Sequence, residues 1–280
     1  MCGFFHMKNV VVDKEDMQRM VPLFRGKWGE RLMNAVIPLL AIDKVNGIYS
    51  RCCHVRGHEF SSLLLKDLQI TYEINNPELI KHLPEGPFIT VSNHPFGALD
   101  GITLISFMGD LRPDFKVMVN SVLTYIEAMS PNFIAVEPYS SKKGSTINMM
   151  GIKESIRHLR DGHPLGFFPA GGVSKLQPNL RIEDKEWAEN IVRLISQMKV
   201  PVVPVYFHGH NSIFFYFLGL ISWKIRTLRL APEVFRARGR KIRISLGEPI
   251  SVAEQQRCGT IAELGKFLRE RTYYAGKRYR

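Results

Sequence analysis

The hydrophobic pattern divides the chain into two textures. Residues 12–66 carry apolar positions at helical spacing. The stretch 28–42 shows this best, with Leu32, Met33, Val36, Ile37, Leu39, Leu40 and Ile42 on one face. Pro38 is expected to kink that helix. Its apolar face fits either of two roles: packing on a core, or lying in a membrane interface with Arg25, Lys27 and Arg31 among the headgroups. From residue 68 short apolar runs alternate with amphipathic stretches. This predicts strands at 69–74, 87–92, 115–119, 133–137, 165–169, 202–207 and 242–246, and helices at 99–109, 143–161, 183–198 and 259–273. Such alternation predicts a layered αβα fold of the α/β class, with a mainly parallel central sheet behind an N-terminal helical segment.

The most apolar segment is 213–223, Ile-Phe-Phe-Tyr-Phe-Leu-Gly-Leu-Ile-Ser-Trp, followed by Lys224 and Arg226. It is too short to cross a bilayer. It could be buried core, a helix dipping into an interface, or a wall of an acyl-chain tunnel; its aromatics and basic flank favour membrane or acyl contact.

Composition changes the picture in three places. The chain has 280 residues, 45% hydrophobic and 23% charged, enough for one large domain with a helical appendage. Thirty-eight Lys and Arg against 26 Asp and Glu give a net charge of +12, which favours polyanionic partners: an anionic membrane face, an acidic carrier protein, or nucleic acid. The cluster Arg236, Arg238, Arg240, Lys241 and Arg243 is either a docking patch or a solvated edge. No recognisable nucleic-acid module accompanies the charge, so no nucleic-acid partner is expected. The N-terminus lacks the layout of a secretory signal, and no spanning helix is predicted. The four cysteines form no disulfide framework and are expected to be reduced. Cys52, Cys53, His54 and His58 lack zinc-site spacing, so no metal is expected.

The candidate chemistry lies in Val91-Ser-Asn-His-Pro-Phe-Gly-Ala-Leu-Asp-Gly101. His94 leaves a predicted strand, Pro95 and Gly97 make a turn, and Asp100 follows six residues after the histidine, before a predicted helix. Imidazole titrates near neutrality and a carboxylate can orient it, so the pair suits proton transfer at the end of a sheet. Gly171 and Gly172 also follow a predicted strand and could meet His94 at one crevice.

Four blocks stand in order: Asn93 to Asp100; Phe133-Ile-Ala-Val136; Phe168-Pro-Ala-Gly-Gly-Val-Ser174; and Val200-Pro-Val-Val-Pro-Val205. Together they resemble the glycerolipid and lysophospholipid acyltransferase superfamily, which includes the 1-acylglycerol-3-phosphate acyltransferases. The resemblance covers about residues 85–210. It implies a catalytic domain at 67–280, with 1–66 as a helical membrane-associating segment. It further implies His94 and Asp100 as catalytic residues. Substrate-binding positions would be Asn93, Pro95, Gly97, Phe133, Phe168, Pro169, Gly171, Gly172 and Ser174.

The departures point to a branch. Five residues separate His94 from Asp100 where the family usually has four, and Gly97 could absorb the extra one. Ala170, Gly172 and Val173 stand where the family has Glu, Thr and Arg, and Val136 where it often has Arg. A phosphate held without cationic donors is costly, which argues against lysophosphatidate as acceptor. The pattern is similar to the hemolysin-like branch, which includes enzymes that O-acylate lyso-glycine and lyso-ornithine lipids.

That resemblance implies an O-acyltransferase of membrane lipid biosynthesis. His94 would be general base, and the donor an acyl carrier protein or coenzyme A thioester. The acceptor would be a lysolipid, and the location peripheral, on the cytoplasmic side of the inner membrane. No cofactor is implied. Backbone N–H groups around Gly171 and Gly172 are the candidate oxyanion donors, and Asn93 is expected to brace the His94 loop. Pro169 and Pro204 are expected to shape strand ends. His208 and His210 are expected to line the pocket. The alternatives are a lysophosphatidate or lysophospholipid acyltransferase and, of other classes, a basic nucleic-acid-binding protein or a membrane-lytic one.

Overall fold

The computed structural model describes residues 9–137 and 146–279. The reading of the extreme N-terminus, Cys2 and the start of the helix expected at 143 lie outside them. Nine strands form among the described residues: β1 Thr71–Ile74, β2 Ile89–Ser92, β3 Lys116–Asn120, β4 Phe133–Val136, β5 Leu165–Phe167, β6 Lys175–Leu176, β7 Ile182–Glu183, β8 Val202–His208 and β9 Lys241–Leu246. Seven make one sheet in the order β1-β9-β8-β2-β5-β3-β4, while β6 and β7 form a separate small hairpin. Every pairing in the large sheet is parallel except β8 with β9. The fold is thus α/β with a mainly parallel sheet.

The helices are α1 Lys14–Met20, α2 Gly26–Leu39, α3 Ile42–Cys52, α4 His58–Asp67, α5 Ala98–Leu111, α6 Thr146–Arg160, α7 Glu189–Met198, α8 Ile213–Ile221, α9 Trp223–Leu228, α10 Leu230–Arg236, α11 Val252–Gln256 and α12 Ile261–Arg278. Strand alternation sorts the side chains into two cores, as the period of two requires. Phe88, Val203, Val205 and Phe207 join Phe60, Leu64 and Leu104 of α4 and α5. Ile89, Val91 and Val202 join Val192 and Ile195 of α7 and Leu264 and Leu268 of α12. The central strands are buried on both faces, which explains their unbroken apolar runs.

Three expectations are corrected. The helix expected to run through Pro38 to Ile42 ends at Leu39, with Pro38 in its last turn; Ala41 then takes a positive φ of 55° and α3 starts afresh. Pro204 lies inside β8 rather than at a strand end, with Gly247 packed against its ring where a Cβ would come within 2.8 Å. The helix expected from 183 begins at Glu189, because Glu183 belongs to β7. In the N-terminal segment, α3 and α4 contribute Tyr49, Phe60, Leu64 and Leu65 to the main core, whereas Met17, Phe24 and Met33 of the α1–α2 region form a separate small cluster.

Candidate active site

Strands β2 and β5 are parallel neighbours, so the loops that leave their carboxyl ends lie side by side. The first loop carries His94. Its ring Nδ1 stands 3.0 Å from Asp100 Oδ2, and 18% of the side-chain surface remains accessible while Asp100 is fully buried. The distance is that of a hydrogen bond, but the N–H direction is poorly aligned with the carboxylate. Asp100 Oδ2 also accepts the backbone N–H groups of Phe96 (2.8 Å) and Gly97 (2.9 Å), which fixes the turn at the start of α5. Burial pushes the Asp100 carboxyl above its usual range; His94 and the two amides oppose that shift. Gly97 holds φ +80°, and a Cβ there would meet Leu230 at 2.6 Å and Val173 at 3.0 Å. Only glycine satisfies both constraints.

Asn93 braces the loop as expected chemically: its amide donates to the Phe207 carbonyl (3.0 Å) and accepts the Phe207 N–H (2.7 Å). The Pro95 carbonyl accepts the Tyr216 hydroxyl at 3.0 Å, and the Phe96 carbonyl accepts the Asn211 amide at 3.2 Å. Burial raises the Tyr216 phenol, keeping it a donor.

The second loop supplies Phe168, whose ring centroid lies 4.2 Å from that of His94 at 33°. Pro169 is buried and its carbonyl accepts the Ala188 N–H. The Gly171 N–H donates to the Phe168 carbonyl at 2.9 Å, closing a turn with φ +62° at Gly171. That amide is committed within the loop, which corrects its expected oxyanion role. The N–H groups of Gly172 and Val173 have no acceptor among the described residues. The Ser174 N–H donates to the His94 carbonyl at 2.8 Å, so the two loops are tied together at the histidine itself. Phe133 is not brought there. It starts β4 at the sheet edge and is buried in the main core.

Sequence reasoning missed Asp184. This buried carboxylate follows β7 and accepts the His94 N–H (3.1 Å) and the Ser174 hydroxyl (2.5 Å) through Oδ1, with the Trp187 indole N–H 3.4 Å from Oδ2. Burial raises its carboxyl above the usual range, against these hydrogen bonds. Its signal was a single acid within the charged run Arg181-Ile-Glu-Asp-Lys-Glu186, which reads as a solvated face. Arg226 was also missed: its guanidinium donates to the Ser174 and Val173 carbonyls at 3.1 and 3.2 Å.

Other expected residues have structural partners. His208 contacts Ser245 and Asn75, and His210 the Asn211 carbonyl. Among the described residues no group of three metal-ligating side chains gathers, and burial pushes the Cys52 thiol up to about 11. A surface cleft of about 490 Å³, lined by Asp114, Lys116 and His163, opens before β3 and β5 begin, at the opposite end of the sheet from His94.

A buried carboxylate behind a partly accessible imidazole, beside a loop with unused amides, is a geometry suited to acyl transfer. Two curated relatives are each named lyso-glycine lipid O-acyltransferase. The protein of Bacteroides thetaiotaomicron is 27% identical over 239 residues, covering 82% of this chain and 85% of its own. That of Phocaeicola vulgatus is 28% identical over 239 residues, covering 82% of each chain. The crystal structure of the 1-acyl-sn-glycerophosphate (LPA) acyltransferase PlsC from Thermotoga maritima aligns with a TM-score of 0.46 at 16% identity, over 89% of this chain and 97% of that one. The family described as Acyltransferase matches residues 10–279, nearly the whole chain, and the protein belongs to that family as an acyltransferase.

Proposed function

We propose that the protein transfers a fatty acyl group from a thioester of acyl carrier protein or coenzyme A to the hydroxyl of a lyso-aminolipid. The lyso-glycine lipid is the preferred acceptor, since two relatives bear that acceptor in their names. The observation that carries the chemistry is the 3.0 Å contact of His94 with Asp100 on a partly accessible turn. An alcohol is a weak nucleophile at neutral pH, so a base must take its proton as attack proceeds. His94 does so through Nε2, the nitrogen turned away from Asp100, and Asp100 stabilises the imidazolium. The thioester carbonyl becomes an oxyanion that accepts the N–H groups of Gly172 and Val173. Collapse forms the ester, breaks the C–S bond and returns the proton from His94 to the leaving thiolate.

The acceptor reading rests on what surrounds this loop. Positions 136, 170, 172 and 173 carry no cation, and the Arg226 guanidinium is engaged by two backbone carbonyls. Among these described positions nothing repays burial of a phosphate dianion. We place the reaction at the cytoplasmic face of the inner membrane, with the protein peripheral. The N-terminal segment 1–66 is a membrane-associating element ahead of a catalytic domain at 67–280. Trp28, 81% exposed with Arg31 over its ring, and exposed Leu32 and Leu39 support that role for α2. No helix among the described residues is long and apolar enough to cross a membrane.

Purified protein supplied with both thioesters and a panel of lyso-glycine lipid, lyso-ornithine lipid and lysophosphatidate tests the proposal. Diacyl aminolipid should form, and His94→Ala should lose about 10³-fold or more. Efficient acylation of lysophosphatidate with no aminolipid product overturns the acceptor; full activity of His94→Ala overturns the mechanism.

A further inference from the structure

The segment from α8 to α10 shows two faces of opposite character. Its inward face is bolted to the catalytic loops. Phe215 and Tyr216 are buried, Tyr216 donates to the Pro95 carbonyl, and Arg226 donates to the Val173 and Ser174 carbonyls. Ser212 caps α8 and is itself held by buried Glu233, which accepts both its N–H (2.8 Å) and its hydroxyl (2.6 Å).

The outward face carries Phe214, Phe217, Leu220, Ile221, Trp223 and Leu228, each more than half exposed. On α8 these positions recur at helical spacing, so they form one stripe. An exposed stripe of large apolar side chains on a rigidly anchored helix marks a contact surface. The same stretch of chain carries exposed Lys224, next to Trp223, and further on exposed Arg236, Arg238 and Arg240, while Glu233, the one acid between 213 and 240, is buried.

We propose that the outward face of α8 and α9 docks into an anionic lipid bilayer. A bilayer satisfies both features at once: the stripe enters the acyl boundary, Trp223 lies at headgroup depth, and the cations meet anionic headgroups. An acidic carrier protein would answer the charge but leave the apolar stripe in water. The docking surface stands on exposure and charge alone. Its consequence, that a lipid alcohol approaches His94 from the membrane over the Pro95–Phe96 turn, rests on the acyl-transfer reading.

Co-sedimentation of the full chain with vesicles of phosphatidylethanolamine and phosphatidylglycerol tests the surface. The wild type should bind these vesicles, bind phosphatidylcholine vesicles more weakly, and release as salt rises. The triple variant Phe217→Ser/Leu220→Ser/Trp223→Ser should bind at least about thirtyfold more weakly, with an unchanged melting temperature. Lys224→Glu/Arg236→Glu should lose the salt dependence while keeping residual apolar binding. His94→Ala should sediment as the wild type does, which separates docking from chemistry. Undiminished vesicle binding by the triple variant overturns the proposal. So does loss of carrier-protein binding by that variant with vesicle binding intact, which would assign the surface to the carrier.

Discussion

Helices α5 and α8 are both apolar runs, and the structure treats them in opposite ways. In α5 most side chains are buried, from Leu99 and Asp100 through Leu104, Ile105 and Met108. In α8 only Phe215 and Tyr216 are. The difference lies in their neighbours. Helix α4 packs closely along α5, and Gly109 allows His58 to approach where a Cβ would come within 2.2 Å. Helix α8 packs on the short helix α9 and its outward face is left uncovered among the described residues, with polar anchors at Ser212, Tyr216 and Arg226 holding it. The helix that carries Asp100 is immobilised by packing. The helix facing outward is immobilised by hydrogen bonds, which leaves its apolar face available.

That contrast can be broken most severely at Asp100. Asp100→Asn keeps an oxygen for the Phe96 and Gly97 amides but removes the charge that faces the imidazole. We expect kcat/KM to fall about 10³- to 10⁴-fold. The fold should not suffer. A carboxyl with a raised native value stabilises the protein only below its unfolded value and loses that contribution as pH rises through the native one. At neutral pH the asparagine variant should therefore melt at the wild-type temperature or above it. Activity within tenfold of wild type would remove Asp100 from the mechanism. Next in size, Leu104→Ala deletes a fully buried side chain of α5 and should cost about 2–5 kcal/mol of unfolding free energy in denaturant titration.

Much of the frame was legible from residue pattern. All seven strands of the large sheet follow from short apolar runs, and α5 and α12 from helical periodicity. His94 and Phe168 meet because their strands are adjacent, which strand-end reasoning anticipates. The remainder depends on tertiary contacts that no local pattern records. The two-residue strands β6 and β7 are too short to show alternation. The burial of Asp184 arises because β6 and β7 fold beneath the His94 loop, so a residue that reads as solvated becomes a buried acceptor. The aromatics and basic flank of 213–223 favour an outward role, but they do not fix it, because hydrophobicity measures a tendency to bury and neighbours decide whether burial happens.

Asp184 gives the third and subtler prediction. It holds the His94 backbone and the Ser174 hydroxyl, so Asp184→Asn should loosen the histidine and lower kcat by about ten- to hundredfold, with KM little changed. Its raised carboxyl has a linked signature in stability. The wild type gains from this group below its ordinary value of 3.8 and loses that gain as pH climbs through the raised native value. The asparagine variant has no such loss, so its stability relative to wild type should improve across that window. A pH-independent difference in unfolding free energy would show that Asp184 does not titrate as its burial requires.

The smallest expected effect bears most directly on the two helices. Leu220 is 65% exposed on α8, whereas Leu104 of α5 is fully buried. Leu220→Ser removes no core contact and leaves the Ser212 cap and both buried aromatics in place. Its cost should be only the poorer helix propensity of serine, about 0.5 kcal/mol or less. Denaturant titration of the two leucine variants side by side decides the matter. A loss at Leu220 approaching that at Leu104 would mean that α8 is packed against something in solution. Its apolar stripe would then already be covered, with nothing left for a bilayer to take up.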